Sequence, residues 1–170
     1  GGKSYLLKYL MYQNRRTFKY GIVFTNTKFD SGFDYLPAKF VHSEYKKEIL
    51  ENFMKIQADQ VKRKITNQSF VIFDDVVDRR TFNCPTFNRL INMSRHYNIT
   101  LFISTQYVNI IPPNFRTNAM NIAIFGSDTK KQISALYESY GMKFDSENDF
   151  RKFLTQKTGN HKFIWINRNN

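Results

Sequence analysis

Apolar residues recur along this chain in two alternating rhythms, one helical and one strand-like. Leu6, Leu7, Leu10 and Met11 are spaced as on one side of a helix and predict one over residues 3–13. Residues 20–25 (Tyr-Gly-Ile-Val-Phe-Thr) form a short apolar run with polar flanks, the pattern of a buried strand. A turn-rich stretch through Asp30, Ser31, Gly32 and Pro37 leads to a short strand expected at residues 39–42. A long helix is expected over residues 43–64, capped by Ser43, with Tyr45, Ile49, Phe53 and Ile56 on one face. Residues 70–73 (Phe-Val-Ile-Phe) predict a second buried strand closed by Asp74-Asp75, and Pro85 opens a helix carrying Phe87, Leu90 and Ile91. Residues 100–105 read as the next strand. Beyond the Pro112-Pro113 turn come a strand at 121–125, helices at 130–140 and 147–156, and a last strand at 162–166.

Strands alternating with helices at these intervals predict an α/β architecture around a mostly parallel sheet. A chain of 170 residues suits one compact domain, taken as residues 1–170, and no repeat or low-complexity linker interrupts it. In such sheets ligands bind beyond the carboxyl ends of the strands, so polar residues that close an apolar run are the ones to read for chemistry.

Four segments carry candidate chemistry, and two of them close an apolar run in this way. Gly1-Gly2-Lys3-Ser4 runs straight into the first helix and matches the second half of a phosphate-binding loop. Backbone N–H groups at a helix start point at an anion, Lys3 can neutralise β- and γ-phosphates, and the Ser4 hydroxyl can ligate Mg²⁺. The same tetrapeptide also begins ordinary helices. The strand at 70–73 ends in two adjacent carboxylates, Asp74 and Asp75, which by themselves are also compatible with a plain acidic loop. The strand at 101–105 ends in Gln106, whose amide can both donate and accept, or can simply sit in a loop. Ile111-Pro112-Pro113-Asn114-Phe115-Arg116-Thr117-Asn118 precedes another strand, and Arg116 is either a presented cation or a surface arginine in a turn.

Taken in this order, the four segments resemble the FtsK/HerA superfamily of P-loop NTPases, a RecA-like branch of the ASCE class. Within it they look most like the genome-packaging ATPases of nucleocytoplasmic large DNA viruses, of poxvirus and giant-virus type. The resemblance runs from Gly1 to near Ile166. It implies a three-layer α/β/α fold with a mostly parallel sheet, whose first strand and first loop glycine would precede Gly1, so that the chain opens inside Walker A. It also implies ATP hydrolysis with ATP and Mg²⁺. Gly1, Gly2, Lys3, Ser4 and Asp74 would then lie at the nucleotide, with Ser4 and Asp74 on the metal side. Asp75 would orient or deprotonate water, Gln106 would sense the γ-phosphate, and Arg116 would serve a neighbouring subunit as an arginine finger, with Arg79 and Arg80 as lower-ranked rivals or DNA contacts. Many relatives have glutamate where this chain has Asp75, one methylene shorter. The implied partners are double-stranded DNA drawn through a homo-oligomeric ring and capsid or portal-site proteins, in a host-cell viral factory or the virion. Other pumps and helicases of the superfamily share this chemistry. A noncatalytic DNA-binding module with a degenerate P-loop fold is the alternative that Asp75 keeps open.

Composition adds less. The formal charge of +12 attracts polyanions such as nucleic acid, yet it is spread evenly over both halves of the chain. Abundant Asn, Ile, Phe, Tyr and Lys is equally the mark of an AT-rich genome. Cys84 is the single cysteine, which excludes an intrachain disulfide and a multi-thiolate zinc site, and His42, His96 and His161 lack ligand spacing. Neither Cys84 nor the serines sit in a His–acid pattern, so hydrolase triads are poorly supported. The many aromatics are mostly core, although some exposed tyrosines could stack on bases. No apolar run is long enough for a membrane span and no secretion signal opens the sequence, which reads as soluble and intracellular.

Overall fold

The computed structural model describes residues 2–26 and 32–168, so Gly1 and the expected turn at Asp30 and Ser31 lie outside the described residues. The chain divides into two compact units, Ser4–Gln106 and Tyr107–Asn170 with Gly1–Lys3.

The first unit is built on four parallel strands, β1 (Phe18–Thr25), β2 (Val41–His42), β3 (Gln68–Asp74) and β4 (Ile99–Ser104), in the order β2-β1-β3-β4. Successive residues of a strand point to opposite faces, and helices cover both. On one face Leu7 and Met11 of α1 (Lys3–Gln13) pack against Val23, Phe70 and Ile72. On the other lie α2 (Lys47–Lys62) and α4 (Pro85–Met93). There Phe24 stacks on Phe73 at 5.2 Å between ring centroids, and Phe87 meets Phe73 edge-on at 5.0 Å. A short helix, α3 (Arg79–Asn83), precedes α4 and buries Phe82 against Phe87.

Two expectations need correcting here. The long helix begins at Lys47 rather than after Ser43, and Lys46 precedes it in an extended conformation without a side-chain cap. Tyr45 is the reason: its ring lies against Phe24 and Phe73, which holds residues 43–46 out of helical geometry. The buried face is also rotated, to Leu50, Phe53, Met54 and Gln57, leaving Ile56 44% exposed. Gln57 turns inward because its amide is satisfied there: it accepts from the Tyr20 hydroxyl and donates to Ser69. The stretch after Asp75, expected as a charged loop, contains α3, whose N-cap Asp78 accepts from the Thr81 N–H at 2.8 Å.

The second unit holds α5 (Pro113–Asn118), β5 (Asn121–Phe125), α6 (Lys130–Tyr140), α7 (Glu147–Thr158) and β6 (Phe163–Asn167). Its two strands pair antiparallel with each other. Ile122, Ile124, Ile164 and Ile166 form the strand side of a core completed by Ile133, Phe150 and Leu154. The parallel sheet thus comprises four of the six strands among the described residues. A helix, α5, stands where a simple Pro-Pro turn was expected; Pro113 at its first position suits a helix start. Among the described residues no helix is long and apolar enough to cross a membrane.

Candidate functional site

The sheet register aligns the last residues of three strands: Thr25 of β1 pairs with Asp74 of β3, which pairs with Ser104 of β4. Cross-strand partners share a face. These three therefore continue the row of Val23, Ile72 and Phe102, on the face covered by α1. They are 1%, 4% and 7% exposed, so a carboxylate is set into a nearly buried row of hydroxyls. The link from Gln13 to Phe18 is short, which puts the end of α1 at the start of β1 and turns its first helical residues toward the carboxyl ends of the strands. Ser4, exposed, lies in that first turn. No acidic residue occupies the turn, leaving the positive end of the helix dipole for an anion.

Asp75 departs from the strand with φ of 54°, in the left-handed region that few non-glycine residues adopt. Bonds to three different atoms help to hold it. Its N–H donates to the Ser104 carbonyl at 3.0 Å, and its carbonyl accepts from the Asn26 amide at 2.6 Å. Its carboxylate Oδ2 accepts from the Gln106 amide at 3.2 Å. Asp74 and Asp75 are adjacent in sequence yet serve different places. Asp74 faces the hydroxyl row under α1, and Asp75 faces Gln106 where the side chains remain open to solvent.

The residues fit a Mg²⁺ shared with a nucleotide. The available donors are all oxygens, and among the described residues the buried Ser104 hydroxyl next to Asp74 has no hydrogen-bond partner. Among the described residues no group of three or more His, Cys, Asp or Glu forms a dedicated metal cage, which suits an ion that takes most of its ligands from phosphates and water.

Of the remaining sequence-predicted residues, Gly2, Lys3 and Arg116 belong to the second unit, and Arg79 and Arg80 to the first. Gly2 is half-buried, and a Cβ there would come within 2.8 Å of the Phe125 ring, so only glycine fits without displacing the ring. Lys3 is half-buried at the first position of α1, and Gly1 is outside the described residues. Arg116, on α5, donates to the Ser139 hydroxyl of α6, and its carbonyl accepts from Arg168 at 2.7 Å. Burial raises the phenol pKa of neighbouring Tyr140, against the opposing pull of Arg116 and Arg168. Arg79 and Arg80 are exposed on α3. The Thr81 N–H and hydroxyl hold the carboxyl of Asp78, beside them, below its ordinary range.

The structure thus joins Asp75 to Gln106 and sets Asp74 beside them at the strand ends. Sequence reasoning missed Asn26 and Ser104. Both close an apolar strand run, the signal that had singled out Asp74 and Gln106.

A family model described as Poxvirus A32 protein matches residues 1–166. Protein 075L of Invertebrate iridescent virus 6 is 28% identical over 169 residues, covering 97% of this chain and 66% of that protein. Protein L437 of Acanthamoeba polyphaga mimivirus is 28% identical over 178 residues, covering 97% and 62%. The chain therefore spans less than two thirds of the length of these relatives. Among solved structures, B204, the DNA-packaging ATPase from Sulfolobus Turreted Icosahedral Virus, aligns with TM-score 0.69 at 22% identity, covering 99% of this chain and 87% of that one. The genome packaging NTPase B204 from Sulfolobus turreted icosahedral virus 2, in complex with AMPPCP, aligns with TM-score 0.66 at 19% identity over the same shares. The chain shares the fold of these NTPases.

Proposed function

Because the chain belongs to the Poxvirus A32 protein family, we propose that it is the motor segment of an ATP-hydrolysing translocase that packages viral double-stranded DNA into a capsid. The observation that carries this reading is the contact of Gln106 with the Asp75 carboxylate at the carboxyl end of the sheet, next to the buried Asp74. The fold shared with a packaging NTPase seen with AMPPCP supports a nucleotide as the ligand.

In this reading Gly1, Gly2 and Lys3 bind the phosphates, and Ser4 and Asp74 hold Mg²⁺. The bound ion supplies charge neutralisation on the β- and γ-phosphates. Asp75 orients a water and takes its proton as the water oxygen bonds to the γ-phosphorus and the bridging oxygen leaves with ADP. Gln106, bonded to that carboxylate, couples the water's position to the γ-phosphate. Arg116 acts on the nucleotide of a neighbouring subunit in a homo-oligomeric ring. Residues 1–170 work as one motor domain, acting with capsid or portal-site proteins in the viral factory or the virion.

The test is DNA-stimulated ATPase activity of the full-length protein beside Lys3→Ala and Asp74→Ala. Turnover that rises with double-stranded DNA and vanishes in both variants is expected. DNA binding without turnover in the intact protein would sink the motor and leave a noncatalytic DNA-binding module.

A further inference from the structure

We propose that Asn26 is a positioning residue for hydrolysis: from the end of β1 it holds Asp75 in the left-handed conformation that directs the carboxylate at Gln106. This rests on the hydrolytic role of Asp75 proposed above. A residue's backbone geometry is set by two torsions, and Asp75 is clamped on both sides. The bond from its N–H to the Ser104 carbonyl fixes the peptide before it, and the bond from Asn26 to its carbonyl, at 2.6 Å, fixes the peptide after it. Loss of the second releases the carbonyl and lets φ relax from 54°, and rotation about N–Cα swings Cβ and with it the carboxylate away from its present aim at Gln106.

The register explains why Asn26 can do this. Thr25 pairs with Asp74, so the next residue of β1 comes level with the next residue of β3, although 49 positions separate them in the chain. The chemistry requires an amide. A carbonyl oxygen needs a donor, which Asn offers and an ionised Asp of the same size does not. An exposed hydrogen bond of this kind adds little to folding stability, because water replaces it readily in the unfolded chain. Its effect is therefore expected in turnover rather than in folding.

The experiment uses the full-length protein with saturating double-stranded DNA. ATP turnover, KM for ATP and thermal midpoint are measured for wild type, Asn26→Ala and Asn26→Asp. Single-turnover rates with enzyme in excess are then measured for Asp75→Asn with and without Asn26→Ala. Expected are a fall in kcat of about tenfold or more in both Asn26 variants, unchanged KM and midpoint, and no further loss when Asn26→Ala is added to Asp75→Asn. Unchanged kcat in Asn26→Ala overturns the inference while the motor reading stands. So does a loss that recurs in the Asp75→Asn background, or one accompanied by a raised KM or lowered midpoint. Absent turnover in wild type overturns the motor reading and this inference with it.

Discussion

A left-handed backbone costs an ordinary L-residue about 1–2 kcal/mol, and aspartate tolerates it better than most. At Asp75 that conformation persists because Ser104, Asn26 and Gln106 each bind a different atom of the residue. Strain of this kind, over-determined by its surroundings, marks a position where geometry is kept at the expense of stability. Glycine adopts the same torsions without strain. Asp75→Gly is therefore expected to unfold at or above the wild-type temperature while losing ATP turnover by about two orders of magnitude or more. A thermal melt and a steady-state assay on one preparation check both halves, and a variant that melts well below wild type would show that the Gln106 contact is structural. The two carboxylates and Gln106 were legible in the sequence because each closes an apolar run. The left-handed turn between Asp75 and its partners was not, since no residue type demands it: Asn26 and Ser104 become neighbours of Asp75 only through the sheet register.

Elements with an unbroken apolar rhythm were read closely. The helix over 3–13, the strand over 121–125 and the helix over 130–140 all stand where spacing put them. Spacing does not reveal the partner of a strand, so the antiparallel pairing of β5 with β6 came only from the structure. The short helices α3 and α5 were illegible for another reason: five or six residues show too little period to separate helix from turn. The start of α2 was misplaced because Ser43 offers a cap that the packing of Tyr45 overrides. Gly21 is informative on pairing itself. It lies opposite Phe70, whose ring covers it, and a Cβ there would lie 2.5 Å from ring carbons. Phe70 cannot swing aside freely, since it is buried with Leu7 and Met11 and touches Phe18 edge-on at 5.4 Å. Gly21→Ala is expected to destabilise the protein by about 1–3 kcal/mol through overpacking. Chemical denaturation measures this, and pairing the change with Phe70→Leu should recover part of the loss. An unchanged midpoint in Gly21→Ala would mean that β1 and β3 separate easily, which their long shared register argues against.

For the whole molecule, the formal charge of +12 fits a DNA partner but does not locate it, and the same excess follows from AT-rich coding. The assignment that depends on assembly is Arg116. In the single chain its guanidinium is occupied by Ser139, so service to a neighbouring nucleotide requires that bond to be exchanged for one to phosphate. A serine hydroxyl is a neutral acceptor, and a developing phosphoryl charge is a stronger one, so the exchange is favourable once a neighbour's nucleotide comes within reach. The trans arrangement makes a prediction that a cis role cannot imitate. Arg116→Ala leaves a subunit with an intact phosphate loop and no finger, whereas Lys3→Ala leaves a finger and a disabled loop. Each variant of the full-length protein is expected to be nearly inactive alone, with a loss of about a thousandfold for Arg116→Ala. Mixed and reassembled, they should regain DNA-stimulated turnover, because some junctions then pair an intact loop with an intact finger. If Arg116 served its own subunit, every active site in the mixture would still lack one of the two groups, and no ratio of the variants would restore activity. Ser139→Ala adds a control for the resting contact. It frees the guanidinium without removing it and should leave complementation in place, whereas loss of complementation would mean that Ser139 is needed to aim the finger.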